Sequence, residues 1–164
     1  MEDLRLIIYI DGASRGNPGP AGIGIAVSGL KGESLAEESV FIGETTNNVA
    51  EYRALLAALK KAKEMGARSI QVMTDSELLF RQMRGLYRVR SPKLIALFQE
   101  VVTRVNEFAD FELQHVPRAA NRKADRLANH AIDAWMRGLR CEASSLEPEQ
   151  TGRAEKGVLA EGER

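Results

Sequence analysis

Four acidic residues stand at positions where the surrounding sequence is apolar: Asp11, Glu51, Asp75 and Asp125. Asp11 ends an apolar run, and Asp75 directly follows the strand-like segment 69–74. Glu51 and Asp125 fall on the apolar stripes of segments with helical spacing. A carboxylate directed toward a core raises the free energy of the folded state unless it is paired, hydrogen-bonded or bound to metal.

A shared site would allow these four carboxylates to bind metal ions. Carboxylate oxygens without a Cys/His ligand set suit hard cations such as Mg²⁺ or Mn²⁺ rather than Zn²⁺. Two such ions can activate a water molecule and stabilise the leaving oxygen of a phosphodiester. The pattern therefore favours metal-dependent phosphodiester chemistry, although the sequence alone does not show that the four residues meet in space.

The first two carboxylates also have local explanations. Asp11 precedes Gly12, and this pair fits ordinary turn chemistry. Glu51 is predicted in the first turn of its helix, where a carboxylate interacts favourably with the helix dipole.

The other two carboxylates have local explanations as well. Asp75 is placed to cap the helix that follows it. Asp125 has Arg122 and Lys123 close by as partners for a surface ion pair. Each local explanation accounts for one residue, whereas a shared oxygen-lined site accounts for all four.

The elements that must position these residues follow from hydrophobic periodicity. Strands are predicted over 4–10, 22–28, 34–42, 69–74 and 111–116, and helices over 47–65, 76–84, 92–108 and 121–137. Gly-Pro clusters and short spacing predict that the first three strands form an antiparallel meander. The order βββαβααβα indicates an α/β (mixed α+β) fold, with helices packed on a mixed sheet.

The composition of the chain limits the classes of protein to which it can belong. The chain has 164 residues, which suits one domain, and its 23 basic and 23 acidic residues give no global indication of a nucleic-acid partner. The single cysteine, Cys141, excludes an internal disulfide. The apolar run near the N-terminus is too short to span a bilayer, so a cytoplasmic protein without membrane contact is expected. We predict a domain over residues 1–139 and a polar, disordered tail over 140–164.

Four blocks of sequence, taken together, resemble the type 1 ribonuclease H family. They are YIDGASRGNPGPAGIG (9–24), TTNNVAEYRALLAAL (45–59), TDSELL (74–79) and HVPRAANRKADRLAN (115–129), and they occur in the family's order. The resemblance extends over roughly residues 4–138 and is strongest to compact bacterial and archaeal members. It implies a ribonuclease H-like fold with a five-stranded mixed sheet, and hydrolysis of the RNA strand of RNA–DNA hybrids.

The resemblance also implies roles for individual residues. Asp11, Glu51, Asp75 and Asp125 would hold two Mg²⁺ or Mn²⁺ ions, with Asp11 bridging both and Glu51 also contacting the ribose 2′-hydroxyl. His115 occupies the place of the family's mobile histidine, which assists proton transfer or product release. The alternative for His115 is a histidine that merely closes the fifth strand.

Further positions match family residues that contact the hybrid: Asn17, Thr46, Asn47 and Asn48. Amide and hydroxyl groups can bond to phosphate, sugar or base edges, and the 2′-hydroxyl distinguishes RNA from DNA. Asn47 is also a candidate helix N-cap, and the two roles do not exclude each other.

The sequence departs from the family at two places. The basic helical protrusion of some members is missing, and Arg88 and Arg90, with Arg84 and Lys93, are candidates to contact phosphates instead. Salt-sensitive hybrid binding is therefore expected. Glu77 stands where the family often has Gln, and its charge would repel phosphate.

Three alternative hypotheses compete with this function. The fold could serve a non-catalytic module that binds hybrid or structured RNA, a different nuclease, or half of a fusion enzyme. Retention of four carboxylates argues against the first, and the HVPRxxNxxAD block against the second. The chain is expected to end too soon for the third. A monomer is expected, and cleavage of double-stranded RNA is left open.

Overall fold

The computed structural model describes the backbone of residues 3–146 and the side chains of residues 3–139. Within this range the chain forms five strands, four α-helices and one 3₁₀ turn. These are β1 (Arg5–Ser14), β2 (Gly19–Ser28), β3 (Ser34–Thr45), α1 (Asn47–Glu64), β4 (Ser69–Thr74), α2 (Glu77–Met83), α3 (Pro92–Val105), β5 (Asp110–His115), the 3₁₀ turn (Arg118–Ala120) and α4 (Arg122–Leu146). The predicted order of strands and α-helices is confirmed.

The five strands form one mixed sheet in the order β3-β2-β1-β4-β5. β1 pairs with β2, and β2 with β3, in antiparallel fashion, whereas the β1–β4 and β4–β5 pairs are parallel. Ile10 of β1 is the partner of Thr74 of β4. Asp11 and Asp75 each follow one member of this pair, so the topology brings them to the same edge of the sheet.

The core lies between the sheet and α1. On β1 the side chains of Leu6, Ile8 and Ile10 are at most 1% exposed, and they share one hydrophobic cluster with Tyr52 and Leu55 of α1. Ile7 on the opposite face of β1 is only half-buried. Along its apolar run, β1 is therefore fully buried on one face and half-buried at Ile7 on the other.

Of the element boundaries that differ from the prediction, those of β1 and β2 are decided by long-range pairing. β1 continues to Ser14, which is the partner of Ala21, so the strand extends past the apolar run. β2 correspondingly begins at Gly19, before its predicted start at residue 22. α4 continues to Leu146, so residues 140–146 are helical where a disordered tail was predicted. The rest of that predicted tail, residues 147–164, lies outside the described residues.

Close backbone contact joins the start of α4 to the middle of β2. A Cβ atom at Gly24 would lie 2.2 Å from the carbonyl oxygen of Ala124, and one at Gly22 would lie 2.5 Å from that of Ala128. Both glycines are therefore required by the closeness of the helix. The Ser39 hydroxyl on β3 also donates to a carbonyl of α4, that of Leu127, at 2.5 Å.

The chain divides into two compact units, Met1–Ile132 and Asp133–Arg164. The whole sheet and the helices α1, α2 and α3 belong to the first unit, as does the start of α4. Among the described helices, none combines the length and the apolar character that crossing a membrane requires.

Gly24→Ala is expected to destabilise the fold by about 1–3 kcal/mol, because backbone atoms of α4 must move to admit the new methyl group. The matched control is Gly138→Ala, where a Cβ meets nothing within 4 Å and the substitution in a helix stabilises by about 0.5–1 kcal/mol. Urea unfolding of the three proteins measures both effects. Equal stability of Gly24→Ala and the wild type would contradict the close packing of α4 on β2.

Candidate active site

Asp11 is an interior residue of β1, opposite Gly24 in the ladder with β2. The predicted turn at Asp11 and Gly12 is wrong, since the ladder continues beyond them. Residues directly opposite each other in an antiparallel pair point to the same face, so Asp11 points to the face on which Gly24 contacts α4. The residue is 6% exposed, which is unusual for an aspartate.

Glu51 reaches the same edge of the sheet from α1. The residue is 5% exposed, and its Oε1 accepts a hydrogen bond of 2.7 Å from the backbone N–H of Gly12. A Cβ at Gly12 would lie 2.2 Å from the carbonyl carbon of Ala50, so only glycine permits this approach. The first turn of α1 contains no acidic residue, and the interpretation of Glu51 as a first-turn dipole partner is therefore wrong.

Asp75 follows the last residue of β4, as predicted. The N-cap of α2 is Ser76, whose hydroxyl accepts from the N–H of Leu79 at 3.2 Å, so the N-cap interpretation of Asp75 is wrong. The Asp75 side chain is 9% exposed, and its Oδ2 lies 3.9 Å from Nε of Arg118. The carboxylate is therefore available at the sheet edge.

Asp125 lies in the first turn of α4 and is half-buried. Its Oδ1 accepts a hydrogen bond of 3.2 Å from Nδ2 of Asn129, one helical turn later. Lys123, a predicted surface partner of Asp125, instead forms an ion pair with Glu37 at 2.5 Å. The close packing of α4 on β2 carries Asp125 to the face toward which Asp11 points.

The structure brings these carboxylates together. One oxygen each from Asp11, Glu51 and Asp75 can be chosen so that all three lie within 4.8 Å of one another. Asp125 stands outside that group of three, but its carboxyl group is close enough to raise the pKa of Asp11. Asp11 therefore interacts with all three of the other carboxyl groups.

Burial makes the ionised forms of two of these groups unfavourable. Desolvation, together with the charges of Glu51, Asp75 and Asp125, raises the pKa of Asp11 from 3.8 to about 9. Desolvation likewise raises the pKa of Glu51 from 4.5 to about 8, against the lowering effect of its hydrogen bond from Gly12. Without a bound cation, Asp11 and Glu51 therefore stay protonated at neutral pH, where the same carboxyl groups in water are ionised.

The donor set fits hard divalent cations. Its ligand atoms are carboxylate oxygens from three separate elements, β1, α1 and the end of β4, and no cysteine or histidine belongs to the group. A cation among them would supply the positive charge that the buried carboxylates lack. These residues are therefore the candidate metal ligands, with Asp125 beside Asp11.

His115 is the last residue of β5 and is exposed. It is the register partner of Thr74, the residue before Asp75, so it lies one strand spacing from the carboxylate edge. The residue closes the fifth strand and also stands beside the candidate site, so both predicted interpretations remain open. The other histidine, His130, is exposed on α4.

The predicted hybrid-contacting residues meet at the N-terminus of α1. Thr46, not Asn47, is the N-cap, and its hydroxyl accepts from the N–H of Val49 at 3.3 Å. The Asn17 side-chain oxygen accepts from the N–H of Asn47 at 3.0 Å, which joins the β1–β2 connection to the helix. Asn17, Asn47 and Asn48 are all exposed, so their side chains are accessible from solvent.

The basic residues of the α2–α3 connection, Arg88 and Arg90, are exposed. Glu77, expected to repel phosphate, accepts a hydrogen bond of 2.8 Å from Nε of Arg81. This ion pair offsets the charge of Glu77, so the expected repulsion is weaker than the sequence suggests.

Two residues near the site were missed by the sequence analysis. Asn121 is 1% exposed, and its Nδ2 donates to the carbonyl of Ile10 at 2.8 Å, which fastens the start of α4 beside Asp11. Arg118 is the cation beside Asp75. Both lie in the block HVPRAANRKAD, where their spacing from Asp125 was the available signal.

Comparisons with known proteins agree on the class of this domain. A family model described as "Reverse transcriptase-like" matches residues 9–131. Ribonuclease HI of Halobacterium salinarum is 45% identical over 129 residues, which cover 79% of this chain and 65% of the relative. The crystal structure of RNase H1 from that archaeon superposes with a TM-score of 0.78 at 42% identity, covering 79% of this chain and 98% of the other. Fold and sequence thus define a ribonuclease H-like domain.

Two further relatives indicate which family within this class the chain belongs to. LC11-RNase H1, isolated from compost and solved in complex with an RNA/DNA hybrid, superposes with a TM-score of 0.76 at 45% identity over 80% of this chain and 99% of the other. The bifunctional protein Rv2228c of Mycobacterium tuberculosis is 43% identical over 141 residues, which cover 85% of this chain. The chain spans 39% of the length of that mycobacterial relative. The chain belongs to the type 1 ribonuclease H family.

The stability of the metal-free protein is expected to fall as pH rises from about 4 toward 9. The folded state keeps protons on Asp11 and Glu51 in this range, whereas the unfolded chain has lost them, so each rise in pH favours unfolding. Asp11→Asn removes one of these groups and should raise the metal-free melting temperature at pH 8, by about 2–4 °C for each kcal/mol relieved. Thermal unfolding in EDTA measures this, and a wild-type melting temperature that climbs through this range would contradict the burial of the carboxylates.

Proposed function

We propose that this chain hydrolyses the RNA strand of RNA–DNA hybrids by a two-metal-ion mechanism. Asp11, Glu51, Asp75 and Asp125 would hold the two Mg²⁺ or Mn²⁺ ions. The observation that carries the proposal is the convergence of buried carboxylates from separate elements at one sheet edge. Membership of the ribonuclease H family and the relative that binds an RNA/DNA hybrid support the choice of substrate.

Asp11 would contact both ions, because one of its oxygens groups with those of Glu51 and Asp75 and the charge of Asp125 also acts on it. The bound ions would supply an activated water and charge stabilisation at the leaving oxygen. Glu51 is oriented by the N–H of Gly12, which donates to one carboxylate oxygen, and the other oxygen would be available to a metal ion. Arg118 near Asp75 adds a positive charge that an approaching phosphate would meet.

The N-terminus of α1 is the proposed contact for the hybrid. Thr46, Asn47 and Asn48 are at the positive end of the helix dipole, and Asn17 is joined to them by its hydrogen bond. The asparagine amide groups and the Thr46 hydroxyl can donate to phosphate or sugar oxygens, and Glu51 lies one turn further along the same helix. A strand bound there would present its 2′-hydroxyl near Glu51, which would provide the discrimination between RNA and DNA.

His115 and two arginines complete the proposed site. His115 stands one strand spacing from the carboxylate edge, where an imidazole can transfer a proton to the departing oxygen. Arg88 and Arg90 are exposed and would contact phosphates at a distance from the reacting bond. All of these residues belong to one chain, so a monomer would suffice.

Cleavage of a hybrid labelled on its RNA strand tests the proposal, in Mg²⁺, in Mn²⁺ and in EDTA. We expect cutting of the RNA strand alone with either metal and none in EDTA. Asp75→Asn should lower the rate at least about 100-fold, since even outer-shell partners of metal ligands contribute 10- to 100-fold. The matched control is Asp110→Asn, an exposed aspartate at the start of β5 that should leave the rate unchanged.

A chain that binds the hybrid but leaves it intact in both metals would reject hydrolysis and favour the non-catalytic binding module. Equal loss of activity in Asp75→Asn and Asp110→Asn would reject the specific role of Asp75.

A further inference from the structure

His115 ends an edge strand, which leaves its imidazole without a sheet neighbour on one side. β5 is the outermost strand next to β4, and His115 is exposed. An exposed side chain in such a place keeps several rotamers unless a neighbouring group restrains it. A proton-transfer group with free rotamers spends only part of its time in the productive orientation.

Phe80 of α2 is the neighbour that can restrain this imidazole. The centres of the two rings are 5.8 Å apart, and their planes are inclined by 39°. This separation lies within the range of favourable aromatic pairs, which contribute about 0.5–1.5 kcal/mol beyond burial. Phe80 is half-buried and packs against the hydrophobic core, so contacts with core side chains fix the position of its ring.

Arg84 covers the same phenyl ring. Its guanidinium carbon lies 5.4 Å from the ring centre of Phe80, which satisfies the geometry of a cation–π contact. The two residues are four apart, and residues at that spacing on α2 share one face of the helix. Phe80 is therefore in contact with the core, with Arg84 and with His115.

We propose that Phe80 is a positioning residue for His115. Its ring holds the imidazole at the edge of the sheet where β4 leads into Asp75. The ring contact stands on the geometry alone, whereas its kinetic consequence rests on the proposed hydrolysis. Phe80 touches neither substrate nor metal in this account and acts only through His115.

Histidine resonances test the contact directly. The chain contains only two histidines, and His130 on α4 serves as an internal reference, assigned by His130→Gln. Phe80→Leu removes the ring and retains apolar volume, so the His115 ring signals should shift while those of His130 stay in place. Phe80→Tyr keeps the ring and should restore the wild-type His115 signals. Unchanged His115 signals in folded Phe80→Leu would overturn the proposal.

Hybrid cleavage tests the consequence through a double-mutant cycle. Phe80→Leu should lower kcat about ten-fold at unchanged KM, a part of the roughly 100-fold that a positioned acid–base group contributes. In the His115→Ala background the same substitution should change kcat no further, because the group on which it acts is gone. Phe80→Tyr should keep the wild-type kcat.

Other results would overturn the inference in recognisable ways. An equal loss from Phe80→Leu with and without His115 would show that Phe80 acts through another group. A rise in KM at constant kcat would show that Phe80 serves hybrid binding through Arg84. If the proposed hydrolysis is wrong, the wild type itself does not cleave the hybrid, which distinguishes that outcome from the two above. The His115 resonances would then be the only test of the contact between Phe80 and His115.

Discussion

Desolvation of neighbouring carboxyl groups, together with the repulsion between their charges, is the constraint on which the rest of this structure depends. Asp11 and Glu51 are nearly inaccessible to water, and the charges of Asp75 and Asp125 act on them as well. Such an arrangement opposes folding near neutral pH unless a cation compensates it. The fold must therefore hold groups that would separate if their backbones were free to move.

Three close backbone approaches supply that restraint. Gly12 lets α1 come near enough for Glu51 to accept its N–H. Gly22 and Gly24 let the start of α4 lie directly on β2, and Asn121 fastens the same helix end to Ile10. Parallel pairing of β1 with β4 adds the fourth carboxylate by bringing Asp75 to the same edge. The glycines and the buried asparagine thus serve the site as well as the core.

The sequence predicts the order of elements, the mixed sheet and the candidate carboxylates, because hydrophobic periodicity and strand-end position are local signals. It does not predict that β1 passes through Asp11 to Ser14, since that depends on pairing with a strand further along the chain. The choice of Thr46 over Asn47 as N-cap depends on backbone angles that either residue type permits. The ring pair of Phe80 and His115 joins α2 to β5, and no local pattern indicates it.

If the buried carboxylates bind divalent cations, metal binding must displace their protons. Measuring this proton release is the most direct test of the proposed metal site. Titration calorimetry with Mn²⁺ at pH 7.5, in buffers of different ionisation enthalpy, counts the protons released. Because the pKa of Asp11 is raised to about 9 and that of Glu51 to about 8, binding should release about one proton or more per protein. Binding without proton release, or no binding of Mn²⁺ in the presence of hybrid, would contradict the claim.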